Sequence, residues 1–148
     1  MIVPILLGSA SDKDFAQKIV DELNVFEIPS EVIVASAHKV PEMVIEIIER
    51  FNRESEVVYV TLAGMSNGLS GVTAGSSYHP VIACPPHKDL AEYQVDIHSS
   101  LRMPKDTPVL TVLSPGNVAL CIARMFAMNH PELREKIVAR VKSVKASF

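Results

Sequence analysis

The 148-residue chain has no tryptophan, and aromatic residues make up only 5% of it. Little is left from which to build the stacking platforms that hold single-stranded nucleic acids. There is no basic excess either: 14 Lys and Arg face 17 Asp and Glu, a formal net charge of -3. Without a basic block a phosphate backbone has no footprint, so no nucleic-acid partner is expected. Cysteine is scarce. Cys84 and Cys121 lie far apart in no paired motif, which suits a reducing compartment better than a disulfide framework. No run is long and apolar enough to span a bilayer, so no membrane partner is expected. The apolar N-terminus lacks a basic lead and runs straight into Gly8 and Ser9. It reads as a first strand rather than a signal peptide, and the cytoplasm is the expected location.

What is present is apolar material in a regular alternation. Apolar residues make up 48% of the chain, enough for one domain over residues 1–148 with its own core. Ile2–Leu7, Glu31–Ala35, Val57–Ala63, Val81–Cys84 and Pro108–Leu113 read as strands, the first of them buried. Between them fall helical stripes. Phe15, Ala16, Ile19, Val20 and Leu23 form the first, with Ser11 and Asp14 placed as a capping box. Met43, Val44, Ile47, Ile48 and Phe51 form the second, opened by Pro41. A short helix is expected within Gly64–Ser77, and two more close the chain, at Gly116–Met128 and Glu132–Lys145. Strands alternating with helices imply an α/β fold, a three-layer flavodoxin-like parallel sheet with helices on both faces. From Pro85 to Thr107 no element is evident. With His87, Asp96, Ser99, Ser100 and Arg102 in it, the segment reads as a long binding loop.

In such a fold ligands bind outside the carboxyl ends of the strands. Four polar clusters fall there: Gly8–Asp12, Ser36–Lys39, Gly64–Gly68 and Ser114–Asn117. Ser9 and Ser11, at a helix start, suit a phosphate, and Asp12 suits a ribose diol. The alternative is that Ser11 and Asp12 only cap the helix. The first loop matches neither the phosphate loop of ATP-binding proteins nor the dinucleotide fingerprint. His38 beside Lys39 offers a base whose neighbour favours the neutral imidazole, or else a solvated pair on a loop. Gly64–Gly68 reads G-x-S-x-G, the nucleophile pattern of serine hydrolases, with Asp96 and His98 or His130 following in suitable order. Against it stand the short chain and the lack of a glycine-rich oxyanion loop. His79, His87, His98 and His130 have no metal-ligand spacing, and no metal site is expected.

Taken in order, G-S-x-S-D after strand one, S-A-H-K after strand two and S-N-G-L after strand three resemble the phosphoribosylaminoimidazole carboxylase family. The segments Pro80–Pro86, Asp96–Arg102 and Thr111–Pro115 resemble it too, so the likeness runs over nearly the whole chain. It implies a small-molecule nucleotide, aminoimidazole ribonucleotide, as substrate. Lys39 and Ser66-Asn67-Gly68-Leu69 resemble the branch that takes carbon dioxide directly, and the alternative is the branch that moves a carboxylate from the N5-carboxy isomer to carbon 4.

The resemblance implies His38 as the base, with Lys39 and Ser66 as catalytic partners. It implies Gly8, Ser9, Ser11, Asp12, Ser36, Asn67 and Gly68 as substrate-binding residues, no cofactor, and a homo-oligomer, an octamer as in the family. The closing helix carries Leu133, Ile137, Val138 and Val141 as a stripe that wants a partner. Two departures stand out: Met65 where relatives carry Arg, and Lys105-Asp106 where they carry Ser-Gly. A binding module that uses the same pocket without turnover is the remaining alternative.

Overall fold

A computed structural model describes residues 1–87 and 89–148. Five parallel strands form one sheet in the order β2-β1-β3-β4-β5. They are β1 (Val3–Leu7), β2 (Ser30–Val34), β3 (Tyr59–Leu62), β4 (Val81–Ala83) and β5 (Leu110–Thr111). The fold is flavodoxin-like, and its strand order reverses direction between β1 and β3. That switch point opens a crevice at the carboxyl ends of the two strands.

Six helices cover the sheet: α1 (Lys13–Val25), α2 (Pro41–Phe51), α3 (Gly68–Ser76), α4 (Leu90–Leu101), α5 (Pro115–Phe126) and α6 (Pro131–Ala146). The alternation of side chains along β1 divides the core in two. Val3, Ile5 and Leu7 pack with Ile19 and Leu23 of α1 and with Val118 and Ile122 of α5. Leu6 packs on the other side with Val44, Ile48 and Phe51 of α2. Burying a side chain of this size contributes roughly 1.5–3 kcal/mol, and every residue of β1 is buried. Such a strand reads as a continuous apolar run because both of its faces are covered. Tyr59 ties the second layer down, donating its hydroxyl to the Ile48 carbonyl at 3.2 Å. Burial pushes its phenol up to about 12.

The structure corrects three expectations. The segment Pro85–Thr107 is not one long loop, because α4 occupies its middle. Ser11 does not cap α1. A 3-10 turn over Ala10–Asp12 intervenes, with Ser9 as its cap, and Asp12 takes the N-cap position of α1 without a side-chain cap bond. Finally, the stripe on α6 is split. Leu133 is buried and Ile137 packs against the same core, while Val138 stays exposed. Much of what that stripe needs is therefore supplied by the chain's own core. Among the described residues, no helix is long and apolar enough to cross a membrane.

Candidate active site

Three of the four polar clusters stand at the carboxyl ends of β1, β2 and β3, around the switch point. At β1 the chain passes very close to β3. The Gly8 N–H donates to the Leu62 carbonyl at 2.8 Å, and a Cβ at Gly8 would stand 3.2 Å from that of Ala63. A side chain there would push the two loops apart. Beyond it, the Ser9 hydroxyl accepts from the Ser11 N–H at 3.3 Å and from the Ser11 hydroxyl at 2.8 Å. Ser11 also lies 3.4 Å from Asp12 Oδ1. Ser9 and Ser11 are exposed and Asp12 is half-buried. Two adjoining hydroxyls at the positive end of a helix form a small anion-binding corner.

After β2 the chain turns at once. The Ser36 carbonyl accepts from the N–H groups of Lys39 (3.2 Å) and Val40 (2.9 Å), which closes a tight turn with His38 at its crest. His38 and Lys39 are exposed. The imidazole is not idle in solvent, however. A Cβ built on Gly68 would stand only 2.7 Å from His38 Nε2 and 3.2 Å from Cε1. The ring therefore lies against the bare backbone at the first residue of α3, in space that any other residue at position 68 would fill. A loop from β2 and a helix start after β3 are thus joined at one place.

The β3–α3 loop, residues 63–67, has no regular structure of its own, so its polar backbone must find partners elsewhere. It finds them on α4. Asp96 Oδ2 accepts from the Met65 N–H at 2.6 Å. The Ser99 hydroxyl accepts from the Asn67 N–H at 3.1 Å, and its one proton is shared between the Asp96 carbonyl at 2.8 Å and the Met65 carbonyl at 3.1 Å. The Asn67 side-chain amide donates to Ser100 Oγ at 2.9 Å, and its carbonyl oxygen accepts from the Ser70 N–H and hydroxyl at 3.2 and 2.8 Å.

Asn67 is 4% exposed. The resemblance assigns Asn67 to substrate binding, and in the structure its side chain caps α3 and bonds to α4. Ser66 differs. Its carbonyl accepts from Gly68 N–H at 2.9 Å, but its own N–H and hydroxyl have no protein partner among the described residues, and it is exposed.

The arrangement does not assemble a serine hydrolase. Asp96 is bonded to a backbone N–H, and His130 pairs with Glu56 at 2.7 Å near the amino edge of the sheet. Of the other histidines, His79 precedes β4 at that same edge, and His87 packs on Tyr93 with ring centroids 5.1 Å apart. Cys84 follows β4 fully buried, and burial pushes its thiol up to about 12, which disfavours the thiolate. Ser114, at the start of α5, makes no capping bond. No three His, Cys, Asp or Glu side chains converge as a metal site among the described residues. Asp96, Ser99 and Ser100, which the sequence reading placed in a binding loop, instead hold the β3–α3 loop from one face of α4, a face their spacing of i, i+3 and i+4 fits once the segment is known to be a helix.

Comparison with known proteins agrees with this geometry. A family model described as AIR carboxylase matches residues 2–147. A phosphoribosylaminoimidazole carboxylase of Archaeoglobus fulgidus is 45% identical over 134 residues, covering 90% of this chain and 73% of that protein. Its namesake from Treponema denticola is 38% identical over 143 residues, covering 96% and 89%. In Homo sapiens a bifunctional phosphoribosylaminoimidazole carboxylase/succinocarboxamide synthetase is 37% identical over 140 residues, which are 94% of this chain but 33% of that one. The crystal structure of Treponema denticola PurE superimposes with a TM-score of 0.94 at 37% identity, covering 99% of this chain and 92% of that one. Fold and sequence agree, and the chain belongs to the AIR carboxylase family.

Proposed function

We propose that this protein is a carboxy-lyase of purine biosynthesis that adds carbon dioxide to carbon 4 of 5-aminoimidazole ribonucleotide. The single observation that carries this reading is the seat of His38 against Gly68, two residues after Ser66, whose N–H and hydroxyl have no protein partner among the described residues. A proton acceptor from one loop thus meets the loop that offers hydrogen-bond donors.

The aminoimidazole is an enamine, so carbon 4 is already nucleophilic. It forms the new carbon–carbon bond to carbon dioxide, and electrons move onto a carboxylate oxygen. Carbon 4 is then tetrahedral and still bears its hydrogen. His38 takes that proton, and the ring regains its aromaticity. The Ser66 donors and the Lys39 ammonium stabilise the carboxylate charge as it develops, which is where binding accelerates a step. Ser9, Ser11 and Ser36 hold the phosphate with Lys39, and Asp12 holds the ribose. Gly8 and Gly68 contribute by leaving space, while Asn67 acts from behind the site as a cap. In reverse, His38 protonates carbon 4 and carbon dioxide leaves. The enzyme works in the cytoplasm as a homo-octamer. Exposed Leu90, Val95 and Leu101 on α4 and Val138 on α6 favour association over a free monomer.

The test offers aminoimidazole ribonucleotide with rising dissolved carbon dioxide at fixed pH, without ATP, and separately the N5-carboxy isomer in carbon dioxide-depleted buffer. Saturable carboxylation in the first assay is the expected result. Rapid conversion only in the second makes the protein a mutase of the same pathway.

A further inference from the structure

We propose that Asp96 is a positioning residue for the carboxylation step, holding the Ser66 donors in place through the backbone of Met65. The proposal rests on the assignment of Ser66 made above. Met65 has φ 56°, in the left-handed region that a long side chain rarely adopts. Such a residue persists only where its surroundings impose it. Here the imposing contact is the 2.6 Å bond from the Met65 N–H to Asp96 Oδ2, a bond to a charged acceptor and hence among the stronger kind. One turn further along α4, the Ser99 hydroxyl accepts from the Asn67 N–H at 3.1 Å. The helix thus grips the loop at residues 65 and 67, on either side of residue 66. Ser66 is left between two held neighbours, which fix the peptide that carries its N–H. Met65 itself is 77% exposed, so packing of its side chain does not fix the loop. The carboxylate does.

If Asp96 acts in this way, its loss will spoil the placement of donors needed in the transition state and leave nucleotide binding, which lies on the β1 and β2 loops, nearly intact. Asp96→Ala is expected to lower kcat by roughly 10- to 10²-fold, at or below the loss from removing one oxyanion donor, while the nucleotide Kd measured by calorimetry holds. Asp96→Asn keeps an acceptor without the charge and should fall between wild type and Asp96→Ala. Adding Met65→Gly to Asp96→Ala should recover part of kcat, because glycine adopts positive φ without strain.

Amide exchange at Met65 and Asn67 gives a readout independent of turnover, with faster exchange expected in both Asp96 variants. Should Asp96→Ala fail to fold, Asp96→Asn alone decides by the same two readouts. Unchanged kcat and unchanged exchange overturn the proposal, as does an equal loss of kcat and of nucleotide affinity. If wild type turns over neither carboxyl source but exchange at Met65 still rises in the variants, the clamp stands and the reaction assigned to the site falls.

Discussion

The two loops that meet at the site are built in opposite ways. The loop after β2 is closed by two backbone bonds to one carbonyl, that of Ser36, and residues 38–40 are all exposed. The loop after β3 is tied to α4 and α3 by Asp96, Ser99, Ser100 and Ser70, with Asn67 buried at its centre. The difference matches the two tasks. Donors that stabilise a forming charge are effective only when fixed beforehand. A base must reach carbon 4, take a proton and give it up, which a lightly held imidazole on an open turn can do. Gly68 is where the two designs touch, since its missing side chain is the space His38 occupies.

Among the variants that test this contrast of loops, the largest effect is expected at that contact. Gly68→Ala puts a methyl 2.7 Å from His38 Nε2, and the imidazole, being the far end of a side chain, can swing away at little cost to folding. Misplacing a reacting group by about 1 Å costs around 10²-fold in rate. Turnover should therefore fall by that order while the thermal midpoint stays near wild type. A variant of normal activity would show that His38 does not work from this seat.

The next test separates the two kinds of residue within the β3–α3 loop. Asn67→Ala leaves Ser70 and Ser100, both buried, without its bonds, and should cost about 1–3 kcal/mol of stability by denaturant unfolding. Ser66→Ala, at an exposed position, should cost almost nothing in stability and be felt in kcat. Equal stability of the two variants would remove the distinction between a buried clamp and an exposed donor.

The smallest effect lies far from the site and serves as a control. His130 Nε2 is 2.7 Å from Glu56 Oε2 and Nδ1 is 3.2 Å from Glu132 Oε1. The bond to Glu56 raises the His130 pKa from its ordinary 6.5, and the bond to His130 lowers that of Glu56. The histidine contribution to stability is whole below its ordinary value and fades as pH rises through the raised one. The glutamate contribution is whole above its own ordinary value and fades as pH falls through the lowered one. The difference in thermal midpoint between wild type and His130→Gln should therefore peak between the two ranges and shrink on either side. A difference that does not change with pH would mean that packing, not charge, is lost. Activity per folded molecule should not change at all.

The strand runs, the parallel α/β sheet and the loops that carry the site were legible in the sequence, because β1 and β3 are buried on both faces and α1 and α2 carry plain apolar stripes. Helix α4 was not. Its buried positions are Ile97 and Ser100, while Val95 and Leu101 are exposed. The side that faces the protein carries Asp96, Ser99 and Ser100, residue types that favour turns when read singly. A helix whose inner face holds a loop by hydrogen bonds, rather than burying apolar area, gives no periodic hydrophobic signal. The cap that Asn67 makes was not legible for a related reason. A buried amide at a helix start and an exposed amide in a pocket look alike in sequence, and only the partners Ser70 and Ser100 distinguish them.

The central claim is that His38 moves the proton of carbon 4. It is tested most directly by running the reaction backwards in heavy water, supplying the carboxylated nucleotide to wild type and to His38→Asn at concentrations that saturate both. Wild type should release carbon dioxide and yield aminoimidazole ribonucleotide bearing deuterium at carbon 4. His38→Asn should bind the nucleotide and release carbon dioxide about 10²–10⁴ times more slowly, the usual loss when an acid–base group is removed. Near-normal release from a fully occupied His38→Asn protein would contradict the claim and give the proton to another group.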